Sequence, residues 1–416
     1  MVIKNELVLL LHKRIVWNKY MIVMIGLILI HSMSLLFADF QSLPKADSHF
    51  HLVDFLQNSD HLSKNLKTYT EASPYFTPES GDRGGRIRAA LKHMDESNVN
   101  YSTIFSMPFI KKWSRNAGFR SGYYLDSSSR VNIARDTDYI VALAIQDFIK
   151  SEGNLEGRKR LFPFIGGFDS TDLGAVDMAI KRIKEFPGIW EGLGEVMSRH
   201  DDLTNLTTGE RPIANHPAIH RLSDFAGKHH LAVSIHHNIA PISPSTQIKE
   251  PLYLQEFIKL VDEHPNTFFI WCHAGISRRI KIANLTQVID DFLSEKNRAK
   301  HILIDLSWVV YDVYIYNKDT GVDNRKEWAN LLEKYPNVFV FGSDKVGKFN
   351  GYADEVNKFE PFVQTLLEKK NGNELANNFL HDNFVNLMLS LRKKRGGLGL
   401  VLNPNYQYPE TNYTQY

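Results

Sequence analysis

The first residues able to hold a metal are His49 and His51, in Asp47-Ser48-His49-Phe50-His51 just after an apolar N-terminal stretch. In a strand, positions i and i+2 share one face, so both imidazoles project together while Ser48 and Phe50 face the other layer. One strand can thus offer two neutral nitrogen ligands to a single ion. With 17 His in the chain, such a spacing arises by chance roughly once, so its weight comes from the ionisable residues at later strand ends. Those later apolar runs end on Glu195 (Gly-Leu-Gly-Glu-Val), His236 (Val-Ser-Ile-His-His-Asn), His273 (Ile-Trp-Cys-His-Ala-Gly) and Asp344 (Val-Phe-Gly-Ser-Asp). A buried strand that spends its last inward position on such a group leaves a costly polar atom in the core unless something satisfies it, and a metal ion would. Alternation turns His237 outward as a packing residue and Cys272 toward the helices as an inert thiol. Arg199, Arg278, Arg279, Trp308 and Lys345 come after these strand ends, where they could read substrate charge.

Eight β-rich runs carry or separate these residues: 46–53, 101–109, 161–168, 192–197, 231–237, 268–273, 301–307 and 338–343. Between them lie stretches with apolar residues three and four apart, such as 87–94, 131–150, 175–186, 217–228, 252–263, 285–293 and 326–335, and two more helices come after the last run. Strands alternating with helices imply a parallel sheet, and eight of them is the count of a (β/α)8 TIM barrel, whose active sites form at C-terminal strand ends. An open doubly wound sheet has the same periodicity. Two long connections, 56–86 and 110–130, lie on that functional side. The second carries Lys111, Lys112, Arg115 and Arg120 among Trp113, Phe119, Tyr123 and Tyr124, which reads as a solvated loop or a clamp on an anionic or aromatic substrate.

At 416 residues, 43% hydrophobic and 23% charged, the chain is globular and long enough for one such barrel. Its net charge of +2 is uneven: Lys4, Lys13, Arg14 and Lys19 against Glu6 give +3 before position 20, leaving the remainder at −1. A near-neutral body gives no reason to expect nucleic acid. Cys272, the only cysteine, cannot form an internal disulfide. Tyr20 to Ala38 is almost wholly apolar and comes after Lys13, Arg14 and Lys19, the pattern of a secretory signal or of an uncleaved membrane anchor. The expected organisation is signal or anchor at 1–38, barrel at 39–391 and an irregular tail at 392–416. The expected location is exported, periplasmic or secreted, with membrane contact only through residues 20–38 if uncleaved.

The Asp-x-His-x-His opening, the Gly-x-Gly-Glu fourth run, the apolar-His fifth, the His-x-Gly sixth and the Phe-Gly-Ser-Asp eighth resemble the amidohydrolase superfamily of metal-dependent hydrolases. The resemblance is to the branch with aminocarboxymuconate semialdehyde decarboxylase and pyrone dicarboxylate lactonase, and spans about residues 45–391. His381-Asp382-Asn383-Phe384 is similar to a segment after the last strand in such enzymes. The resemblance implies ligation by His49, His51 and His236 with Asp344 completing the site, and His273 polarising a substrate carbonyl or binding a second ion. Glu195 is then a further ligand or a carboxylate facing the substrate; with no Lys ending that strand, a carbamate bridge is not expected.

Imidazoles with one carboxylate suit zinc, one or two ions, without excluding manganese, iron or cobalt. The chemistry expected is hydrolysis of a C–N or C–O bond (amide, cyclic amide, ester or lactone) of a small carbonyl substrate, with Asp344 as proton acceptor and His273 beside the carbonyl. Non-oxidative decarboxylation of a carboxylated small molecule uses nearly the same ligands; a barrel Arg placed for a carboxylate would favour it. A secreted barrel that binds without catalysis is the third reading. The sequence is compatible with a homo-oligomer.

Overall fold

The computed structural model describes residues 39–53, 85–108, 133–153, 155–201, 203–205, 207–243, 247–347 and 349–409. The N-terminal signal or anchor, nearly all of the first long connection and the cationic and aromatic residues of the second lie outside them. Among the described residues no helix is long and apolar enough to cross a membrane. Asp39–Leu43 forms a turn held by Ser42 Oγ donating to the Asp39 carbonyl at 2.7 Å, and the compact barrel unit runs from Pro44.

All eight β-rich runs are strands: β1 (Lys45–Asp47) and β2 (Phe50–His51) form the first, then β3 (Val99–Phe105), β4 (Leu161–Ile165), β5 (Gly192–Ser198), β6 (Ala232–His237), β7 (Phe268–Trp271) and β8 (Ile302–Asp305). A small antiparallel pair that the sequence did not announce, β9 (Tyr316–Asn317) and β10 (Val322–Asp323), precedes the eighth run, which is split into β11 (Phe339–Val340) and β12 (Lys345–Val346). Runs such as Phe-Phe-Ile-Trp and Ile-Leu-Ile-Asp are buried almost throughout because helices cover one face and the barrel core the other. The ladder is parallel from β1 and β2 through β8. β11 then pairs with β8, and β12 with β2, so the eighth run closes the ring.

The breaks in the first and eighth runs have one cause, the fully buried carboxyl of Asp47. It accepts from the backbone of His49 at 3.0 Å and of Ser343 at 2.9 Å, and from the hydroxyls of Ser343 and Tyr352 at 2.6 and 3.0 Å. The two backbone donors, taken from the ladder, and the two hydroxyls make a clasp between the two runs. Burial outweighs the hydrogen bonds and pushes the Asp47 carboxyl up to about 6.

The outer helices present apolar stripes at helical spacing, as where Ala175–Glu185 buries Val176, Ala179, Ile180 and Ile183. The last helix, Asn383–Arg395, runs four residues past the expected boundary. Its Phe384, Leu387, Met388 and Leu391 pack onto Ala46, Phe162, Ala232 and Ile270 and seal the N-terminal end of the barrel. Residues 396–409 beyond it are irregular, strapped down by Leu400 N donating to Trp190 O at 2.7 Å and Tyr408 Oη to Asp224 at 2.7 Å.

Candidate metal centre

The C-terminal ends of the strands bring six of the expected groups together. His49 and His51 face inward with their Nε2 atoms 3.3 Å apart. Asp344 Oδ1 stands 3.4 Å from the first and 3.8 Å from the second. Glu195 Oε2 lies 3.7 and 3.5 Å from the same two nitrogens, and Oε1 lies 3.1 Å from His236 Nδ1 and 3.6 Å from His273 Nε2. The donors therefore form two groups, His49–His51–Asp344 and Glu195–His236–His273, with Glu195 touching both. His236, expected beside the His49–His51 pair, falls in the second group. Glu195 reaches the centre because the ladder shifts register between Leu193 and Val196. Gly194 permits this: its φ is +148°, and an added Cβ would come within 2.7 Å of the Ser234 carbonyl.

Three of the four histidines are oriented from behind. His49 Nδ1 is 2.8 Å from Asp305 Oδ2, His51 Nδ1 is 3.1 Å from the Ser106 carbonyl, and His273 Nδ1 is 2.8 Å from Ser307 Oγ. The Ser106 turn is held in its own right by Asp138, whose Oδ1 accepts from Ser106 Oγ at 2.5 Å and Gly166 N at 3.1 Å. A proton fixed on Nδ1 leaves the Nε2 lone pair directed into the site, the arrangement metal-binding histidines use.

The charge balance calls for a cation. Burial alone would raise Glu195, but the charge on His49 beside it holds its carboxyl well below the usual range. Burial would likewise depress His49, yet Cys272, Glu195 and Asp305 around it lift it well above an ordinary imidazole. His236 is driven down to about 4 by burial and by His200 beside it, so it is neutral and has one N–H. Two oxygens face its nitrogens, Glu195 Oε1 and Asn238 Oδ1, both at 3.1 Å. One of these pairs lacks a proton. The Asn238 amide donates to Arg199 O and Ser277 Oγ, which fixes its oxygen toward His236. The unprotonated nitrogen then faces Glu195, and a cation satisfies both. Donors bonded at about 2.0–2.1 Å to one tetrahedral ion stand roughly 3.3–3.4 Å apart, close to the separations here. The residues fit a divalent ion.

A cavity of about 220 Å³ opens onto this cluster and is lined by His51, Glu195, His236, His273 and Asp344 together with His200, Arg278 and Trp308. Arg278 stands over the Trp308 ring at 5.6 Å, and that ring lies 5.1 Å from His273. Arg199 does not join them. It forms a two-pronged pair with Glu256, Nε at 3.0 Å, and lies over Tyr253, because its left-handed backbone turns it outward. Arg279 pairs with Asp201 at 3.2 Å, and Lys345 is taken up in β12. His381 meets Asp382 at 2.8 Å, and Asn383 donates to Pro336 O and Phe339 O at the N-terminal end, away from the centre.

Besides Arg199, the placement of Cys272 is corrected. Cys272 does not face the helices; its Sγ belongs with His49 and Glu195 and lies 3.1 Å from Ser234 Oγ. Strand alternation fails there because β7 stops at Trp271 and Cys272–Gly275 is a tight turn with His273 and Ala274 at φ +54° and +48°. Trp271 takes the outward position against Phe257 and Phe292, and the buried thiol is pushed up by desolvation. His237 behaves as expected, with Nε2 2.9 Å from Tyr253 O and its ring stacked on Phe257. Left-handed backbone recurs at Trp308 and Asp344, so strained residues gather on this rim as they do at functional sites.

Three contributors carry little or no signal in the sequence: Asp305, His200 and the clasp role of Asp47. Asp305 was detectable as a carboxylate inside the apolar run Ile-Leu-Ile-Asp-Leu. His200, 4.4 Å from His236 between ring centroids, stands two residues beyond β5 and had no periodic signal.

No protein-family model matches the sequence, and no curated protein matches it. Among solved structures, the chain is similar to 2,6-dihydroxybenzoate decarboxylase from Rhizobium, at 13% identity and TM-score 0.42 over 84% of this chain and 99% of that one. It is similar to 5-carboxyvanillate decarboxylase from Novosphingobium aromaticivorans complexed with manganese, at 12% identity and TM-score 0.45 over 84% and 97%. A zinc-bound amidohydrolase from Burkholderia multivorans gives 11% identity and TM-score 0.42 over 83% and 99%.

Proposed function

We propose that this barrel is a metal-dependent hydrolase acting on a C–N or C–O bond of a small carbonyl substrate. The observation that carries the reading is Asp344, which lines the cavity with Oδ1 3.4 Å from His49 Nε2 while His273 lines the same cavity. His49, His51, Glu195 and Asp344 would hold the ion, with His236 and His273 able to join through Glu195. A divalent ion there would supply a Lewis acid and make water at the site a nucleophile near neutral pH. Asp344 takes the proton of the attacking water and returns it to the leaving nitrogen or oxygen. Protonated on both nitrogens, with Nδ1–H given to Ser307, His273 would donate Nε2–H to the substrate oxygen and stabilise the charge that develops there. Trp308 and Leu203 wall the cavity and limit water around the reacting carbonyl.

A specific observation favours a second reading. Arg278 and Trp308 stand together at the cavity, where a guanidinium can hold a carboxylate and the indole a planar ring. That is the arrangement a non-oxidative decarboxylase needs. The two are separated by assaying the metal-loaded protein in ¹⁸O-water against lactones, cyclic amides and carboxylated rings. Hydrolysis puts one ¹⁸O into the product with no gas released; decarboxylation releases CO₂ and leaves no ¹⁸O in the remaining product. Neither with any metal would contradict both and leave the binding barrel. We further propose that the basic and apolar N-terminal segment directs export, so that the substrate is met outside the cytoplasm.

A further inference from the structure

We infer that Asp305 is the positioning residue of the metal centre, setting the histidines of both donor groups from one side chain; this rests on the metal-centre reading above. Asp305 is fully buried at the end of β8, and its backbone is paired in register with Val340 of β11. Its two oxygens have separate tasks. Oδ2 accepts from His49 Nδ1 at 2.8 Å, and Oδ1 accepts from the Ser307 backbone N–H at 2.7 Å. That second bond folds the chain after β8 so that Ser307 Oγ meets His273 Nδ1 at 2.8 Å. The His49 and His273 rings, 4.7 Å apart between centroids, thereby both turn Nε2 toward Glu195. His51 is held differently, by the backbone carbonyl of Ser106, which no substitution removes.

The chemistry of the two oxygens makes the inference testable. Both of Asp305's partners are N–H donors, and a carboxylate can accept from both, whereas an Asn side chain has one acceptor and one donor. Asp305→Asn must therefore turn its NH₂ against either His49 Nδ1–H or Ser307 N–H. Either His49 adopts the tautomer that puts a proton on Nε2, or the Ser307 turn loosens and releases His273.

The test is zinc affinity, measured by competition with a chromophoric chelator on the full chain, with circular dichroism reporting the fold of each metal-free protein. Asp305→Asn is expected to bind zinc ~10–100-fold more weakly, the loss typical of removing a residue that orients a ligand. In the zinc-loaded wild type, exchange-protected Nδ1–H signals of His49 and His273 are expected in the proton NMR spectrum. Ser307→Ala should lose the His273 signal alone. A folded Asp305→Asn protein with wild-type zinc affinity would overturn the inference, and so would a Ser307→Ala protein that keeps both signals, which decides the matter even should Asp305→Asn not fold. A wild type that binds neither zinc, manganese nor cobalt instead contradicts the metal-centre reading itself.

Discussion

Two buried glutamates four residues apart on the fourth barrel run are neutralised in opposite ways. Glu191, entering β5 at the N-terminal end, is met by Arg158 at 2.9 Å, Arg392 at 2.7 and 2.8 Å and Arg395 at 2.9 Å. Those arginines also donate to the carbonyls of Leu161, Ile189, Lys159 and His230, tying the last helix to the barrel floor. Glu195, at the other end, is paired with imidazoles in place of guanidiniums. A guanidinium carries a permanent charge and points its donors one way, so the Glu191 cluster is closed. An imidazole keeps a lone pair and can lose its proton, so the Glu195 cluster can exchange protons for an ion. The first holds the chain together, and the second retains the capacity to bind.

The contrast breaks most readily at Glu191. Glu191→Ala leaves three arginines, two with buried side chains and one half-buried, facing one another and should cost about 3–5 kcal/mol in denaturant unfolding, with the metal content of the folded fraction unchanged. A loss below about 1 kcal/mol would mean that the cluster is no lock. Next comes metal itself: an ion at a hundred times its dissociation constant should raise the wild type's unfolding free energy by about 2.7 kcal/mol, a gain that a chelator reverses. Glu195→Gln should lose most of that gain, whereas Glu191→Ala should keep it. The same gain in Glu195→Gln would remove Glu195 from the ligand set.

A smaller effect lies outside both clusters and serves as their control. His220 and His264, with Nδ1 and Nε2 2.8 Å apart, are pushed down by burial to about 3 and about 4. The unfolded chain protonates them first as pH falls below about 6.5. Their stabilisation is therefore complete above that pH and is lost progressively toward about pH 4. Unfolding midpoints at about pH 7.5, 6 and 5 should fall less steeply in His220→Gln than in wild type; parallel curves would contradict this. Arg278→Gln should be the mildest change, within about 0.5 kcal/mol in stability. On a carboxylated substrate it should raise KM with kcat little changed, and an unchanged KM would exclude Arg278 from binding that carboxylate.

Much of the floor plan was legible because parallel strands buried on both faces must be apolar, and a His or Asp at their ends stands out. His49, His51, His273 and Asp344 were visible for that reason. The register shift that swings Glu195 to the centre depends on Gly194 approaching Ser234, a contact that no local pattern encodes. Cys272 was misdirected because alternation was extended past the last paired residue of β7, where left-handed backbone puts two successive side chains inward. Arg199 and Arg278 looked alike in sequence; left-handed backbone at Arg199 and the reach of Glu256 from another helix separate them.

A divalent ion held at Glu195 with His49, His51 and Asp344 should be visible in elemental analysis of the purified chain from Asp39 onward, run beside His49→Ala and Asp344→Ala. At least one tightly held divalent ion per chain is expected in the wild type, and its loss in both variants. A wild type that takes up no metal under any loading condition, or variants that retain the full complement, would contradict such a site.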